Sequence, residues 1–280
     1  FVPNMLSGKL LRINCAHALI KSIDISEAEK LPGVKAIITF KDFLSFGDNE
    51  SNDDLENCIA NKKVLYDGHA VAAVAAIDEK TAKKALKLIK VDFEDLPFVI
   101  DVDHAMRKDA PVVQTGRKRK NVPDNFSDNV TSYCSFGHGN LDDGYNLADK
   151  VIEKTFKTPS VHQGYIEPHA CLASMGNDGK AELWCCTQGH YFVREQCAQI
   201  MGIEETHLKV TASEIGGGFG GKTKIFIEPI ALALSFKSNR PVKMVMTREE
   251  VFKASGPTVS SSVDVKIGMT KNGRITAAHA

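Results

Sequence analysis

The feature that most constrains the fold is a glycine cluster between a predicted strand and a predicted helix. The segment SEIGGGFGGKTKIF occupies residues 213–226, with the alternating stretch HLKVTASEI leading into it and the apolar stretch FIEPIALALSFKS following. Pro229 fits a helix only in its first turn, so we expect the helix to begin near Glu228. Glycines let the main chain adopt dihedral angles that other residues avoid and approach a partner closely. The cluster therefore predicts a strand–loop–helix unit whose loop contacts a ligand or a packed core.

Two nucleotide-binding motifs overlap in this loop. From Gly216 the residues match G-x-x-x-x-G-K-[ST], in which Lys222 would neutralise phosphate and Thr223 would bind magnesium. The same loop also matches G-x-G-x-x-G. Against both, the preceding strand alternates apolar and polar residues, whereas central parallel strands are apolar throughout. No later strand ends in the required Asp or Glu. A P-loop nucleotide hydrolase is the alternative function that these motifs leave open.

Composition and charge limit the class of protein. A chain of 280 residues predicts about two domains. Lys plus Arg and Asp plus Glu both total 35, so the formal net charge is zero and nothing favours a nucleic-acid partner. No apolar run is long enough to cross a bilayer, so we expect no membrane partner. The first residue is Phe1 and the last, Ala280, falls inside a predicted strand, so we expect a piece of a longer chain.

The cysteines indicate a reducing compartment. Seven are present, an odd number, and none forms a C-x-x-C pair. This pattern favours reduced, mostly buried thiols in a cytoplasmic protein over a disulfide framework or a zinc site.

The first part of the chain predicts an α+β domain over residues 1–106. Extended segments cover 8–25, a short helix follows with Ser26 as its N-cap, and a turn at Asp67 and Gly68 joins two strands. Residues 79–90 carry an apolar face and predict a helix. The acidic stretch at 47–57 and the basic stretch at 116–121 are expected to be solvated loops, and the histidines at 17 and 69 to be surface or turn residues.

The second part of the chain predicts a linker and then another domain. Residues 107–132 lack periodicity and predict a linker, and a second domain extends over 133–280, incomplete at its C-terminus. Asn140 is expected to cap a short helix, and residues 189–202 to form a helix that Gly202 ends.

Six motifs together resemble the molybdenum hydroxylases, the family of xanthine dehydrogenase, aldehyde oxidase and carbon monoxide dehydrogenase. They occur in the family's order: LPGVKAIIT, YDGHAVAAVAA, the segment from Gly139 to Ala173, TQGH at 187–190, GGGFGGK at 216–222 and RPVKMVMTREE at 240–250. The resemblance implies an α/β hammerhead domain at 1–106 and the first part of a molybdopterin-binding domain at 133–280.

The resemblance also implies a function. The parent protein would be the molybdenum-binding subunit of an oxidoreductase that hydroxylates an aldehyde or N-heterocycle, with water as the oxygen source. Its cofactor would be molybdenum–molybdopterin, as such or as the cytosine dinucleotide. Electrons would pass to 2Fe-2S clusters and FAD on partner chains or missing segments, in an oligomer. The family's general-base glutamate would lie beyond residue 280, so the fragment alone is expected to be inactive. A non-catalytic scaffold homologue is the second alternative.

Site residues follow from the matched motifs. Gln188 in TQGH matches the family glutamine whose amide lies beside the molybdenum oxo group, and is the expected catalytic residue. Phe219 matches the loop phenylalanine next to the metal. Neither is expected to be a direct side-chain ligand of molybdenum. With Gln188, the expected cofactor-binding residues are those of the loop: Gly217, Gly218, Phe219, Gly220 and Gly221.

Two further expectations concern neighbouring positions. Thr223 stands where purine-oxidising members of the family have a glutamate, which implies that purines are not the natural substrates. In HQGYIEPHA, the side chains of His162, Glu167 and His169 have the spacing of no standard metal site. We expect them to be buried, hydrogen-bonded polar groups that support the domain.

Overall fold

The computed structural model describes residues 2–280, and these form the expected mixture of helices and strands. The strands are β1 Leu6–Ile13, β2 Ala18–Asp24, β3 Val34–Ile38, β4 Lys63–Val64, β5 His69–Ala76, β6 Lys90–Asp95, β7 Lys150–Thr158, β8 Ala170–Met175, β9 Ala181–Cys185, β10 Leu208–Ala212, β11 Val242–Val245, β12 Ser261–Met269 and β13 Ile275–His279. The helices are α1 Ser26–Glu29, α2 Phe40–Phe43, α3 Asp53–Cys58, α4 Glu79–Leu86, α5 Val102–Met106, α6 Leu141–Asn146, α7 His190–Met201, α8 Glu228–Ser238 and α9 Arg248–Ala254.

The chain divides into two compact units that are not contiguous in sequence. The first unit contains the residues up to Pro97 together with His162–Pro257, and the second contains Phe98–Val161 and Thr258–Ala280. Within residues 2–280, no helix has the length and apolar character needed to cross a membrane.

A seven-stranded sheet organises the first unit. Its strand order is β10-β9-β8-β11-β1-β5-β3, and a small sheet of order β4-β2-β6 belongs to the same unit. β11 pairs in parallel with β1 and antiparallel with β8, so it joins the two sequence segments of the unit. β10 pairs in parallel with β9 at the edge of the sheet, and its exposed Lys209 and Thr211 alternate with the buried Leu208 and the half-buried Val210. The glycine loop therefore starts from an edge strand.

Helix α8 lies at the centre of the main core. It begins at Glu228 with Pro229 in its first turn, as predicted, and ends at Asn239, which adopts a left-handed conformation with φ +50°. Its residues from Glu228 to Ser235 are all buried, as expected for a helix that is apolar on all sides. The core cluster around it includes residues of β8, β9, β11 and α7. This core fixes where the C-terminal end of the glycine loop emerges.

Local capping signals predict the helix ends well. Asn140 caps α6 by accepting the N–H groups of Asp142 and Asp143. Gly202 ends α7 at φ +61°, and a Cβ there would collide with the backbone of Phe46, so only glycine fits. Both predictions are confirmed.

Three sequence expectations are wrong in detail. Ser26 is the first residue of α1 and does not cap it; Ile25 occupies the N-cap, and the Asp24 carboxylate accepts the Ser26 N–H. The helix predicted at 79–90 is shorter and ends at Leu86. The acidic stretch is not simply a loop, because it contains most of α3, which Asn52 caps.

Two histidines expected at surface or turn positions are buried, and each has a structural role. His17 is almost fully buried, and its Nδ1 lies 2.7 Å from the carbonyl oxygen of Pro97. His69, the first residue of β5, accepts the Leu65 N–H at Nδ1, and its Nε2 donates to the carbonyl of Glu56. Hydrogen bonds to residues outside the local strand hold these side chains in the protein interior. The sequence pattern around each histidine carries no information about these partners.

The second unit contains a three-stranded antiparallel sheet of order β13-β12-β7. Helix α6 packs on β13 and β12, and the Tyr145 hydroxyl donates to the carbonyl of Lys266. Residues 107–132 form loops in this unit, which are held in part by Arg119, whose guanidinium pairs with Asp128.

Candidate functional site

The glycine loop combines strained backbone with an exposed aromatic side chain. Gly217 and Gly220 adopt φ values of +94° and +86°, and Phe219 between them adopts φ +51°. A left-handed conformation at a bulky residue costs about 1–2 kcal/mol. The Phe219 side chain is not inserted into the core, since the residue is 74% exposed. Strain and exposure together are typical of a residue retained for binding.

Gln188 connects the end of β9 to this loop. Its side-chain Oε1 accepts the backbone N–H groups of Gly220 at 3.0 Å and Lys222 at 3.2 Å. Its own backbone N–H donates to the carbonyl of Lys222 at 2.9 Å. Two N–H donors at one side-chain atom identify that atom as the oxygen. The Nε2 group of this exposed residue therefore lies beside the loop without a hydrogen-bond partner among residues 2–280.

The loop presents main-chain donors as well. The N–H groups of Gly217, Gly218 and Phe219 form no hydrogen bond within the part of the chain that the structure describes. The N–H groups of Gly220 and Gly221 are already used, the first by Gln188 and the second by the carbonyl of Gly218 at 2.8 Å. Donors available to a ligand are therefore concentrated at the Phe219 end of the loop, and a role for Gly220 and Gly221 rests on their conformation and small size.

Close packing requires glycine at several of these positions. A Cβ on Gly218 would overlap the Gln188 amide, and one on Gly221 would lie 2.7 Å from Cε1 of Tyr165. A Cβ on Gly216 would lie 2.8 Å from that of Glu167. At Gly220 the space is open, and only the positive φ selects glycine.

Lys222 lies beneath the loop rather than on it. Its side chain is 0% exposed, and its Nζ pairs with Oε2 of Glu167 at 2.6 Å. The ammonium also lies 4.9 Å from the centre of the Tyr165 ring. The Thr223 hydroxyl donates to the carbonyl of Gly220 at 3.0 Å. The Lys222 ammonium is not placed to reach a phosphate above the loop, so the geometry does not support a P-loop.

A buried polar cluster supports the loop from the segment before β8. The Tyr165 hydroxyl lies 2.7 Å from Nε2 of His169 and 2.8 Å from Oγ of Ser255, and Nε2 of His162 lies 3.0 Å from the same Oγ. Burial lowers the pKa of His169 to about 3, and the nearby charge of Lys222 adds to this effect. His162, Glu167 and His169 are hydrogen-bonded, as expected, but only His169 is buried, while His162 and Glu167 are half-buried.

The structure brings the predicted site residues together and adds some that sequence reasoning missed. Gln188 and the glycine loop are in direct contact, as the two motifs imply. The contributions of Tyr165, Glu167 and Lys222 to the loop were not predicted, because a pairing of residues 55 positions apart leaves no local signal. Within residues 2–280, no group of three or more His, Cys, Asp or Glu side chains is arranged to hold a metal ion.

Comparisons with known proteins match both halves of the chain. Residues 1–97 match the model of the aldehyde oxidase and xanthine dehydrogenase a/b hammerhead domain, and residues 122–280 match the model of the molybdopterin cofactor-binding domain. The probable hypoxanthine oxidase of Escherichia coli (strain K12) is 33% identical to this chain over an alignment that is 301 residues long, gaps included. This alignment covers 96% of this chain and 31% of that protein.

Solved structures agree with these matches. The aldehyde oxidoreductase of Desulfovibrio gigas superimposes with a TM-score of 0.81 at 25% identity, covering 98% of this chain and 30% of that one. The Cu,Mo-CO dehydrogenase superimposes with a TM-score of 0.79 at 30% identity, covering 99% of this chain and 36% of that one. The chain thus spans about a third of the length of these relatives. No comparison supports the P-loop alternative.

Proposed function

Because this chain belongs to the molybdenum hydroxylase family of aldehyde oxidase and xanthine dehydrogenase, we propose that it is part of a subunit that hydroxylates an aldehyde or N-heterocycle. Water would be the oxygen source. The observation that carries this proposal is the exposed Gln188 amide beside Phe219, whose backbone is strained and whose ring is exposed. Folding alone gives no reason to retain this arrangement.

The donors at the loop fit a molybdenum–molybdopterin cofactor. The unpartnered N–H groups of Gly217, Gly218 and Phe219 and the amide of Gln188 offer donors to an anionic, oxygen-rich group. Glycine lets the main chain come close enough for such contacts. In this family the dithiolene sulfurs of the pterin hold the molybdenum, so the residues need not supply metal ligands. When bound, the cofactor supplies the two-electron oxidation of the substrate carbon.

The residues of this chain would bind and orient the cofactor, and they would not perform the proton transfer of the reaction. The Nε2 group of Gln188 would donate a hydrogen bond to the bound cofactor, while its Oε1 accepts the Gly220 and Lys222 N–H groups of the loop. The exposed Phe219 ring would lie against the bound cofactor and exclude water from that side. The general base would be supplied by a glutamate outside residues 1–280, so that activity requires the rest of the subunit.

Partners, cofactor form and location extend the same proposal. We propose that 2Fe-2S and FAD subunits or domains accept the electrons, that the pterin is bound as such or as its cytosine dinucleotide, and that the assembly is an oligomer. A cytoplasmic location is supported by the seven cysteines, all of which are free thiols. We also propose a hammerhead domain at 1–106, a linker at 107–132 and a molybdopterin-binding domain at 133–280.

Metal analysis of the complete subunit, purified with its partner chains, tests the proposed function. We expect about one molybdenum per subunit, together with a pterin that is released on denaturation, and oxidation of an aldehyde or N-heterocycle. A protein without molybdenum contradicts the proposal. A subunit that binds molybdenum but oxidises no aldehyde or heterocycle favours the scaffold homologue.

A further inference from the structure

An ion pair between a buried lysine and a half-buried glutamate lies directly under the glycine loop. Lys222 Nζ and Glu167 Oε2 are 2.6 Å apart, and the lysine side chain has no exposed surface. Removing a charge from water is costly unless a partner and further hydrogen bonds compensate for it. Here Glu167 supplies the opposite charge and the Tyr165 ring lies 4.9 Å from the ammonium. A pair of this kind stabilises a fold weakly in net terms, but removing one partner is destabilising because it leaves an unpaired charge in the interior.

The pair joins both ends of the loop to the same neighbouring segment. At the beginning of the loop, Glu167 Oε2 also accepts the Gly216 N–H at 2.9 Å, and the Glu167 N–H donates to the Gly216 carbonyl at 3.3 Å. At its end, the N–H of Lys222 donates to Gln188 Oε1, and its carbonyl accepts from the N–H of Gln188 and the hydroxyl of Thr187. Lys222, whose ammonium pairs with Glu167, therefore also holds Gln188 through its backbone N–H and carbonyl.

We propose that Glu167 and Lys222 are positioning residues that set the conformation of the glycine loop and, through it, the direction of the Gln188 amide. Lys222 does not offer its charge to a ligand, because the ammonium is fully buried and faces the carboxylate, and Oε2 of Glu167 is already used by the Lys222 ammonium and the Gly216 N–H. The effect on loop conformation is independent of the function proposed above. The effect on turnover rests on that proposed function.

Hydrogen exchange measured by mass spectrometry on the complete enzyme tests the conformational part. Glu167→Gln keeps the size of the side chain and removes its charge. We expect the peptide covering residues 216–223 to exchange about tenfold faster, because the Gly220 and Lys222 N–H groups lose their fixed acceptor, while β8 and β9 exchange as before. The matched control is Glu182→Gln, which breaks an exposed ion pair with Lys209 on neighbouring strands. This control should leave hydrogen exchange unchanged both in the 216–223 peptide and in β8 and β9.

A second variant keeps the test valid if the single change prevents folding. Glu167→Gln with Lys222→Met removes both charges and leaves no unpaired ammonium in the interior. This double variant should fold and still show faster exchange at 216–223. Unchanged exchange in the folded double variant overturns the proposal, whether or not the enzyme proves to contain molybdenum.

A double-mutant cycle on turnover separates positioning from general stability. In the wild-type background, Gln188→Ala should lower kcat; in the Glu167→Gln background, the same change should have at most about a tenth of that effect, because the amide is already misdirected. KM should change less than kcat in Glu167→Gln. Full additivity of the two substitutions would show that Glu167 does not act through Gln188, and would overturn this part of the proposal.

Discussion

The side-chain oxygen of Gln188 lies 3.0 Å from the backbone nitrogen of Gly220 and accepts its N–H. This contact joins the two sequence motifs of the site, one at the end of β9 and the other in the loop before α8. It also fixes the orientation of the amide, because the oxygen must face the loop N–H groups. The Nε2 group is thereby directed to the position where a ligand would bind.

This geometry separates two roles of Gln188 that a single substitution would confuse. Gln188→Glu keeps an acceptor for the loop but removes the Nε2 donor, whereas Gln188→Ala removes both. We expect Gln188→Glu in the complete enzyme to lower kcat about ten- to a hundredfold, the effect of losing one charge-assisted hydrogen bond. Molybdenum content should stay close to that of the wild type. Steady-state kinetics with metal analysis checks this, and wild-type turnover would remove the Nε2 group from the site.

Two glycine substitutions should differ in a way that sequence does not suggest. A Cβ on Gly218 overlaps the Gln188 amide, whereas one on Gly220 enters open space and meets only the cost of a positive φ, about 1–2 kcal/mol. We therefore expect Gly218→Ala to lose more molybdenum and activity than Gly220→Ala. Gly220→Val should lose more than Gly220→Ala, since β-branched residues tolerate positive φ poorly. Equal molybdenum contents for the two alanine variants would contradict this interpretation of the loop.

The burial of Lys222 predicts that nucleotides do not bind here. A P-loop lysine must reach phosphate, but the Lys222 side chain is fully buried and its ammonium is paired with Glu167. Adding ATP with magnesium should leave the Tm unchanged, because a ligand that does not bind the folded state cannot stabilise it. A thermal shift assay on the chain measures this. Magnesium-dependent stabilisation that Lys222→Met abolishes would restore the P-loop hypothesis.

Thr223 bears on substrate class. Its hydroxyl donates to the carbonyl of Gly220, so it offers a neutral group at the position where a glutamate is expected in purine-oxidising members. We expect the complete enzyme to have a lower kcat/KM for xanthine than for an aldehyde or a non-purine N-heterocycle. Thr223→Glu should shift the ratio toward xanthine, with Thr223→Gln as the uncharged control. If xanthine is the best substrate of the wild type, Thr223 does not decide the specificity.

His69 should make the stability of the chain depend on pH. Burial lowers its pKa to about 4 from the ordinary value of 6.5, and Nδ1, which accepts the Leu65 N–H, cannot take a proton without losing that bond. The unfolded chain therefore binds the proton first, and the stabilisation present above pH 6.5 decreases as pH falls toward about 4. The loss amounts to about 3 kcal/mol for a shift of this size.

Urea unfolding at about pH 7 and about pH 5, on either side of the ordinary histidine pKa, measures this dependence. The difference in unfolding free energy between the two pH values should be smaller in His69→Gln than in the wild type. The exposed His138 provides the matched control, and His138→Gln should keep the wild-type difference. An unchanged difference in His69→Gln would assign the pH dependence to other groups.

Local signals in the sequence determined the helix ends, the fold class and the family of this protein. The caps at Asn140 and Gly202 and the start of α8 at Glu228 follow from residue types that fix the backbone within one or two turns. The glycine loop and the TQGH motif were recognisable because their residues are contiguous. The family, the α+β class and the molybdopterin-binding domain could therefore be predicted without a structure.

Only the tertiary structure decided how the strands pair and which polar side chains are buried. β11 enters the sheet between β8 and β1, which unites sequence segments more than 200 residues apart. Lys222 resembles a surface lysine in any local pattern, yet it is buried because Glu167, from a distant segment, compensates for its charge. His69 is likewise held inside by hydrogen bonds to groups outside its own strand. Strand pairing and charge compensation depend on contacts between distant residues, and local periodicity carries no information about them.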